Sequence, residues 1–473
     1  MLGMGIAMIH TDKDGGKLKV LLVRPRPHEE TIGLQYVMKV EPLELEVLAA
    51  VLPENCTPAI VDMIMEKPSI EYFIREEKPD VFCVTGYITN IPEMIEYCRL
   101  AKALKPNVIT ICGGVHCEVC PEDLNSQYID FRVVRDTISS FKNLITYIKG
   151  EGPKPEGVLL KNETTVLPIS ATDPATYPVI PRRDLTQKFR KKYFYIFHHP
   201  VALLKTAFGC PYSCNFCFCR KITGGKYVER DLKAVMTEIE TISEEHIYIV
   251  DDDFLFNRNR LTEFIKEIQE RKIKKSFLVY GRADFIANNP DLIKKFGEVG
   301  LKTVIVGLES VFEHELKAYS KNTTLKINEE AMRVLKENKV DCFATVILSP
   351  DWGKSEFREC GARLKEMGIG YVNLQPFTPL PGTDITTPCD QVLVSRDDYH
   401  KWDLAHITVK PKKLSEREYY GEIIKLYRSI LFQPKIIFEY IKTYPLSMLL
   451  KMLYGSIMVY RQYKQKMKEA GHA

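Results

Sequence analysis

Three cysteines stand close together near the middle of the chain, Cys210, Cys214 and Cys217, within Gly-Cys-Pro-Tyr-Ser-Cys-Asn-Phe-Cys. Soft thiolates favour iron–sulfur clusters or zinc over harder ions. Three of them can hold three irons of a [4Fe–4S] cube and leave the fourth iron open to a substrate or cofactor. A structural zinc site needs a fourth ligand, which Cys219 or a distant His would have to supply. The apolar run 201–208 leads into the triad and reads as a strand. Gly209 and Pro211 break it, so the thiols fall on a loop.

The elements that must position this loop follow it. Strand-like runs at 247–250, 277–280, 303–306, 342–348 and 371–374 alternate with helix-like runs at 231–242, 260–272, 291–299, 329–338 and 354–367. Such alternation predicts a partial (β/α)6 barrel with its site at the strand carboxyl ends. Polar residues sit where those strands stop: Asp251-Asp252-Asp253, then Gly281-Arg282, then Gly307-Leu308-Glu309-Ser310. A carboxylate such as Glu309 can accept hydrogen bonds from hydroxyl groups, and a guanidinium such as Arg282 can pair with an anion. Taken singly, each also reads as a strand-end cap. Tyr280, Arg282, Trp352 and Phe377 are candidate pocket residues that plain packing would equally explain.

Ahead of the barrel, strands at 18–23, 59–62, 81–86 and 108–112 alternate with helices at 41–52, 92–104 and 138–148. That pattern predicts a doubly wound parallel sheet with ligands at the strand carboxyl ends. Thr85-Gly86 with Asn90, and Gly113-Gly114, lie at two of those ends. Glycines there let backbone approach a ligand closely. The expected organisation is an α/β domain over 1–150, a linker over 151–200, the barrel over 201–390 and a helical region over 391–473. In the linker, the Pro-punctuated passage 173–185 should be extended. The basic aromatic stretch 190–195 reads as a solvated charged face.

The triad, with Phe216 just before its third Cys, resembles the signature of the radical S-adenosylmethionine family. Gly307-Leu308-Glu309-Ser310 is similar to that family's Gly-x-Glu-Ser. The first domain resembles the cobalamin-binding domain that precedes many of its members. The resemblance implies a [4Fe–4S] cluster on Cys210, Cys214 and Cys217, with S-adenosylmethionine near Phe216, Asp252, Arg282, Glu309 and Ser310. It implies cobalamin near Thr85, Gly86, Asn90, Gly113 and Gly114. Two features depart from the pattern. Arg135-Asp136-Thr137-Ile138 replaces the usual Gly-Glu-Gly-Glu, and the loop that places a His on cobalt in other cobalamin proteins is absent. His28 and His116 therefore read as solvated or hydrogen-bonded loop residues.

The implied activity is methyl transfer to an unactivated carbon. A C–H bond without a nearby heteroatom offers no nucleophile, so it calls for radical chemistry. Oxidative cyclisation or rearrangement with the same cofactors is the alternative, and a non-catalytic Fe–S electron carrier is a third reading. No catalytic side chain is singled out. Trp402-Asp403-Leu404-Ala405-His406 resembles a passage in family enzymes that act on polycyclic lipids such as hopanoids. The implied partners are a small-molecule or lipid substrate and a reductant such as flavodoxin or ferredoxin.

Composition sets the outer limits. A net charge of +4 over 473 residues, with Lys and Arg interleaved with Asp and Glu, gives no support for nucleic-acid binding. Thirteen scattered Cys without a secretory h-region predict a reducing cytoplasm, and an anaerobic one if the cluster is oxygen-labile. No apolar run reaches the ~18 residues of a membrane span. Residues 395–473 read as helical, and the amphipathic stretches 419–431 and 445–463 suit either a cap on the barrel or contact with a membrane surface.

Overall fold

The computed structural model describes residues 17–164, 177–178 and 180–471, and these form two compact units. The first unit draws its described residues from 1–28, 42–189 and 218–237, the second from 29–41, 190–217 and 238–473.

The first unit is built on strands β1 (Leu18–Arg24), β2 (Cys56–Asp62), β3 (Val81–Thr85), β4 (Ile109–Gly113), β5 (Phe131–Val133) and β6 (Val158–Leu160), in sheet order β2-β1-β3-β4-β5-β6. The first five run parallel, and β6 is antiparallel to β5. Helices α1 (Leu43–Ala50), α2 (Ile70–Glu77), α3 (Ile91–Leu104) and α4 (Thr137–Ile148) connect them. β1 reads Leu-Lys-Val-Leu-Leu-Val-Arg and is buried along most of its length, as a parallel strand covered on both faces must be. β5 and β6 escape the sequence reading because three residues are too few to show a period. The register sets Thr85 opposite Gly113, so the two glycine-bearing strand ends lie side by side.

The second unit carries six parallel strands, β7 (Val201–Leu204), β8 (His246–Ile249), β9 (Ser276–Tyr280), β10 (Leu301–Glu309), β11 (Asp341–Leu348) and β12 (Tyr371–Pro376). Their order is β12-β11-β10-β9-β8-β7, with β7 and β12 at the edges, so the barrel is partial as expected. Helices α5 (Arg258–Glu270), α6 (Pro290–Glu298), α7 (Leu325–Glu337) and α8 (Lys354–Glu366) alternate with the strands. The predicted strand 201–208 is interrupted. Thr206 turns aside to the Asp251 carboxylate, which accepts its backbone N–H at 2.6 Å and its hydroxyl.

The linker differs from the expectation. Residues 173–176 and 179 of the Pro-punctuated passage lie outside the described residues. At its end, residues 183–185 open a 3₁₀ helix, Arg183–Lys192, instead of running extended. Arg190 is not on a solvated face: it is buried, ion-paired with buried Glu41, and its Nε donates to Glu244 at 2.6 Å. Glu41 in turn accepts the backbone N–H of Leu203 at the barrel's edge strand. Removing one member of a buried ionic group leaves the others unpaired and desolvated. We expect Arg190→Met to cost about 3–5 kcal/mol, read as a lowered urea midpoint.

Residues 395–414 are irregular, which corrects the helical reading. Asp403 accepts the N–H groups of Ala405 at 2.9 Å and His406 at 2.8 Å, and Leu404 adopts φ +62°. Local side-chain bonds of this kind compete with a helix. The same carboxylate accepts Ile32 N–H at 2.7 Å and pairs with His406 Nδ1 at 2.9 Å, so the passage acts as a fold clamp. Helices α9 (Glu416–Leu431), α10 (Pro434–Thr443) and α11 (Leu446–Glu469) follow. Among the described residues, no helix is long and apolar enough to cross a membrane.

Candidate functional site

At the carboxyl ends of β7–β10, the three consecutive acids after β8 do three jobs. Asp251 holds Thr206. The Asp252 Oδ2 atom accepts the Gly209 N–H at 3.0 Å, which fixes the residue before Cys210. Asp253 is buried, and burial pushes its carboxyl up to about 7 against the pull of Arg282 and Lys321. The thiol loop is therefore tied to the neighbouring strand at its entry. It is tied again midway, where Asn215 Nδ2 donates to the Ala318 carbonyl at 2.8 Å and Asp384 N–H donates to the Asn215 carbonyl at 3.0 Å.

Cys210, Cys214 and Cys217 are half-buried and unpaired by disulfides. Burial pushes the Cys210 thiol up to about 12, and raises Cys214 against the opposing pull of Lys321 and Arg282. Those two cations make a connected chain to Glu309. Arg282 Nη1 lies 4.0 Å from Cys214 Sγ, and its guanidinium stands 3.7 Å over the Tyr212 ring. Arg282 is oriented by Asp284 at 3.0 Å, and its Nη2 donates to the Lys321 carbonyl at 2.7 Å. The Lys321 ammonium donates to Glu309 Oε1 at 2.8 Å, both side chains being buried. Glu309 is held at φ +61°, at an irregularity where β10 pairs with β11. Gly307 leaves room for this pair, because a Cβ on it would meet the Glu309 carboxylate and stand 2.9 Å from the Lys321 ammonium, so both would have to shift.

Of the residues singled out by sequence, Cys214, Arg282 and Glu309 are thus brought together. Asp252 is engaged with the loop backbone. Phe216 packs edge-on against Tyr319 at 5.8 Å, which stacks on Phe377 at 6.4 Å. Ser310 is buried, its hydroxyl donating to Glu315 and accepting from Phe312 N–H at 3.0 Å, so it closes the strand end. Trp352 is packing: it is buried and donates to Glu315 at 2.6 Å. Tyr280 is partly exposed, and its ring lies 5.8 Å from that of Tyr248. Sequence reasoning noted Asp253 only as one of three strand-end acids and gave no role to Lys321, Asp284 or Tyr212. Asp284 stands two residues after Arg282 at a strand end, which is the signal that could have found it.

The donor set fits an iron–sulfur cube better than one zinc ion. Three soft thiolates on one loop suffice for three corners of a cube, whereas a structural zinc needs a fourth protein ligand.

In the first unit, Gly114 sits at φ +101° and ψ 175°, a conformation essentially confined to glycine. A Cβ there would stand 2.6 Å from Thr85 Oγ1 and 2.8 Å from the Gly86 carbonyl. Gly113-Gly114 therefore lies directly against Thr85-Gly86. Asn90 is buried, and its Oδ1 accepts Tyr87 N–H at 3.2 Å, which shapes the same loop. The pair of strand ends forms a low backbone ledge of the kind a large planar ligand needs. We expect Gly114→Ala to destabilise this unit by about 1–3 kcal/mol and to weaken cobalamin retention, checked by urea unfolding and by the visible absorbance kept after gel filtration. His116 is buried and bonded to Asp123 at 2.7 Å, as expected of a hydrogen-bonded His.

Family models match both units. Residues 30–145 match the B12 binding domain and residues 204–364 the Radical SAM superfamily. The chain is 28% identical over 433 residues to the hopanoid C-3 methylase of Methylococcus capsulatus, covering 86% of this chain and 79% of that protein. It is 25% identical over 449 residues to the anaerobic magnesium-protoporphyrin IX monomethyl ester cyclase of Rubrivivax gelatinosus, covering 89% and 79%. Its fold is similar to that of TsrM from Kitasatospora setae, a radical S-adenosylmethionine methyltransferase solved with cobalamin and a [4Fe–4S] cluster bound. There the TM-score is 0.69 at 15% identity, over 96% of this chain and 99% of TsrM.

Proposed function

The chain is a radical SAM enzyme with a B12-binding domain ahead of the barrel, and on that premise we propose that it methylates an unactivated carbon of a lipid. The observation that carries the reading is that a thiol of the triad, an Arg–Lys cation pair and a buried Glu meet at one set of strand ends. When bound, the cluster with S-adenosylmethionine supplies hydrogen-atom abstraction, and cobalamin supplies the methyl group.

The chain's own residues bind and orient. Cys210, Cys214 and Cys217 would hold the cluster. Arg282, fixed by Asp284 and the Lys321 carbonyl, keeps positive charge beside Cys214 for an anionic carboxylate. Glu309, pinned by Lys321, offers acceptors to ribose hydroxyls. Asp252 and Ser310 stabilise the two loops that flank this pocket, and Phe216 supplies an apolar wall. Thr85, Gly86, Asn90, Gly113 and Gly114 form the ledge for cobalamin. A flavodoxin or ferredoxin provides electrons. The lipid acceptor is supported by the apolar residues that α10 and α11 leave exposed, among them Phe438, Leu446 and Leu450, which suit a membrane surface.

Anaerobic loading with iron, sulfide and cobalamin, then turnover with S-adenosylmethionine, a reductant and candidate lipids, tests this by mass analysis. Deoxyadenosine together with a methylated lipid is the expected result. Deoxyadenosine with a new ring and no added methyl would mean a cyclase. No deoxyadenosine at all would mean an electron carrier.

A further inference from the structure

We propose that the second unit holds a separate lipid-chain site, in which the cavity beneath its C-terminal helices seats an acyl chain of an anionic membrane phospholipid. The cavity measures about 340 Å³ and is walled by α9 and α11, by Met38 and Tyr195, and by Phe343 and Tyr371. Its size is that of a small-molecule site (~300–1,000 Å³), and its walls are mostly aliphatic and aromatic. It is not the thiol pocket. Tyr371 opens β12 and Phe343 is the third residue of β11, whereas the thiol loop belongs to the carboxyl ends. From Phe343 to Leu348 the strand climbs about 17 Å at ~3.3 Å per residue.

The mouth of the cavity is continuous with an unusual outer surface. Phe432, Leu453, Ile457 and Tyr460 line the cavity and are also exposed, Phe432 by 58% and Leu453 by 47%. On α10 Phe438 and Ile441, and on α11 Leu446, Leu450 and Tyr454, are exposed. The outer face of a cap helix is ordinarily polar. Residues 434–469 contain seven Lys and Arg against two Glu, although the whole chain nets only +4. Arg428 stands exposed at the cavity wall, and Lys442 lies 4.2 Å over the Phe438 ring. Exposed apolar residues on a segment with an excess of cations match a bilayer with anionic headgroups, and a second copy of the same basic face would be repelled. A chain lifted from that bilayer finds the cavity mouth already in the contact plane. The inference deepens the membrane contact proposed above and rests on that reading, but it needs neither cluster nor methyl transfer.

The test uses the full chain with cis-parinaric acid as the soluble acyl probe, and co-sedimentation with phosphatidylcholine vesicles with or without phosphatidylglycerol. The wild type and Cys214→Ala should bind the probe saturably and sediment only with the anionic vesicles. Ser456→Trp and, independently, Val459→Trp fill the cavity and should lose the probe while keeping wild-type circular dichroism. Lys442→Glu with Leu450→Glu should keep the probe and lose the vesicles. Probe binding by both Trp variants, or none by the wild type, overturns the cavity site. Probe binding without vesicle binding overturns the membrane source in favour of free fatty acid. Elution of the wild type as a dimer that Lys442→Glu with Leu450→Glu dissolves would instead assign the face to a second copy.

Discussion

Cys214→Ala should lose the iron–sulfur absorbance and S-adenosylmethionine cleavage together, whereas Cys219→Ala should keep most of both. Cys214 lies 4.0 Å from the Arg282 guanidinium. Burial raises its thiol, and the Lys321 and Arg282 charges pull the other way, toward the thiolate that binds iron. With only three protein ligands, a cube that loses one has two bare corners and is no longer retained. Cys219 lies in the short helix Cys219–Thr223, beyond the turn that closes the triad with Cys217 N–H donating to Cys214 carbonyl at 3.2 Å. Iron and sulfide analysis with visible spectra of the anaerobically loaded variants decides the matter. Loss of the cluster in both variants would make Cys219 a ligand and close the open corner on which the chemistry depends.

Glu309→Gln should destabilise the chain by about 3–5 kcal/mol and abolish detectable S-adenosylmethionine binding, because it strands the buried Lys321 ammonium. Burial pulls the Lys321 amine down, but Glu309 and Cys214 outweigh it and hold it raised, so the charge persists and needs its partner. The double variant Glu309→Gln with Lys321→Met carries no unpaired cation. It should regain most of the urea stability and still fail to bind S-adenosylmethionine in equilibrium dialysis. Recovery of binding in the double variant would show that Glu309 serves only the fold.

The contrast between Glu309 and Lys321 shows what the sequence could reveal. Glu309 belongs to a local run of four residues at the end of an apolar strand, and both period and motif point to it. Lys321 lies twelve residues further on, in a loop with no period, and only the folded chain brings it back to Glu309. Strands β7–β12 were legible because buried parallel strands are continuous apolar runs, while β5 and β6 are too short to register. Arg190 was misread for the opposite reason. Its neighbours Lys191 and Lys192 are exposed and make the stretch look solvated, while its partners Glu41 and Glu244 are distant in sequence. The region 395–414 was misread because one carboxylate, Asp403, outcompetes the helix its composition suggests.

The thiol loop takes its shape from carboxylates and amides: Asp251 at Thr206, Asp252 at Gly209, Asn215 at Ala318. Asp251, Asp252 and Ala318 are remote from the thiols in sequence, so the geometry of a nine-residue signature is written into residues that no local motif contains.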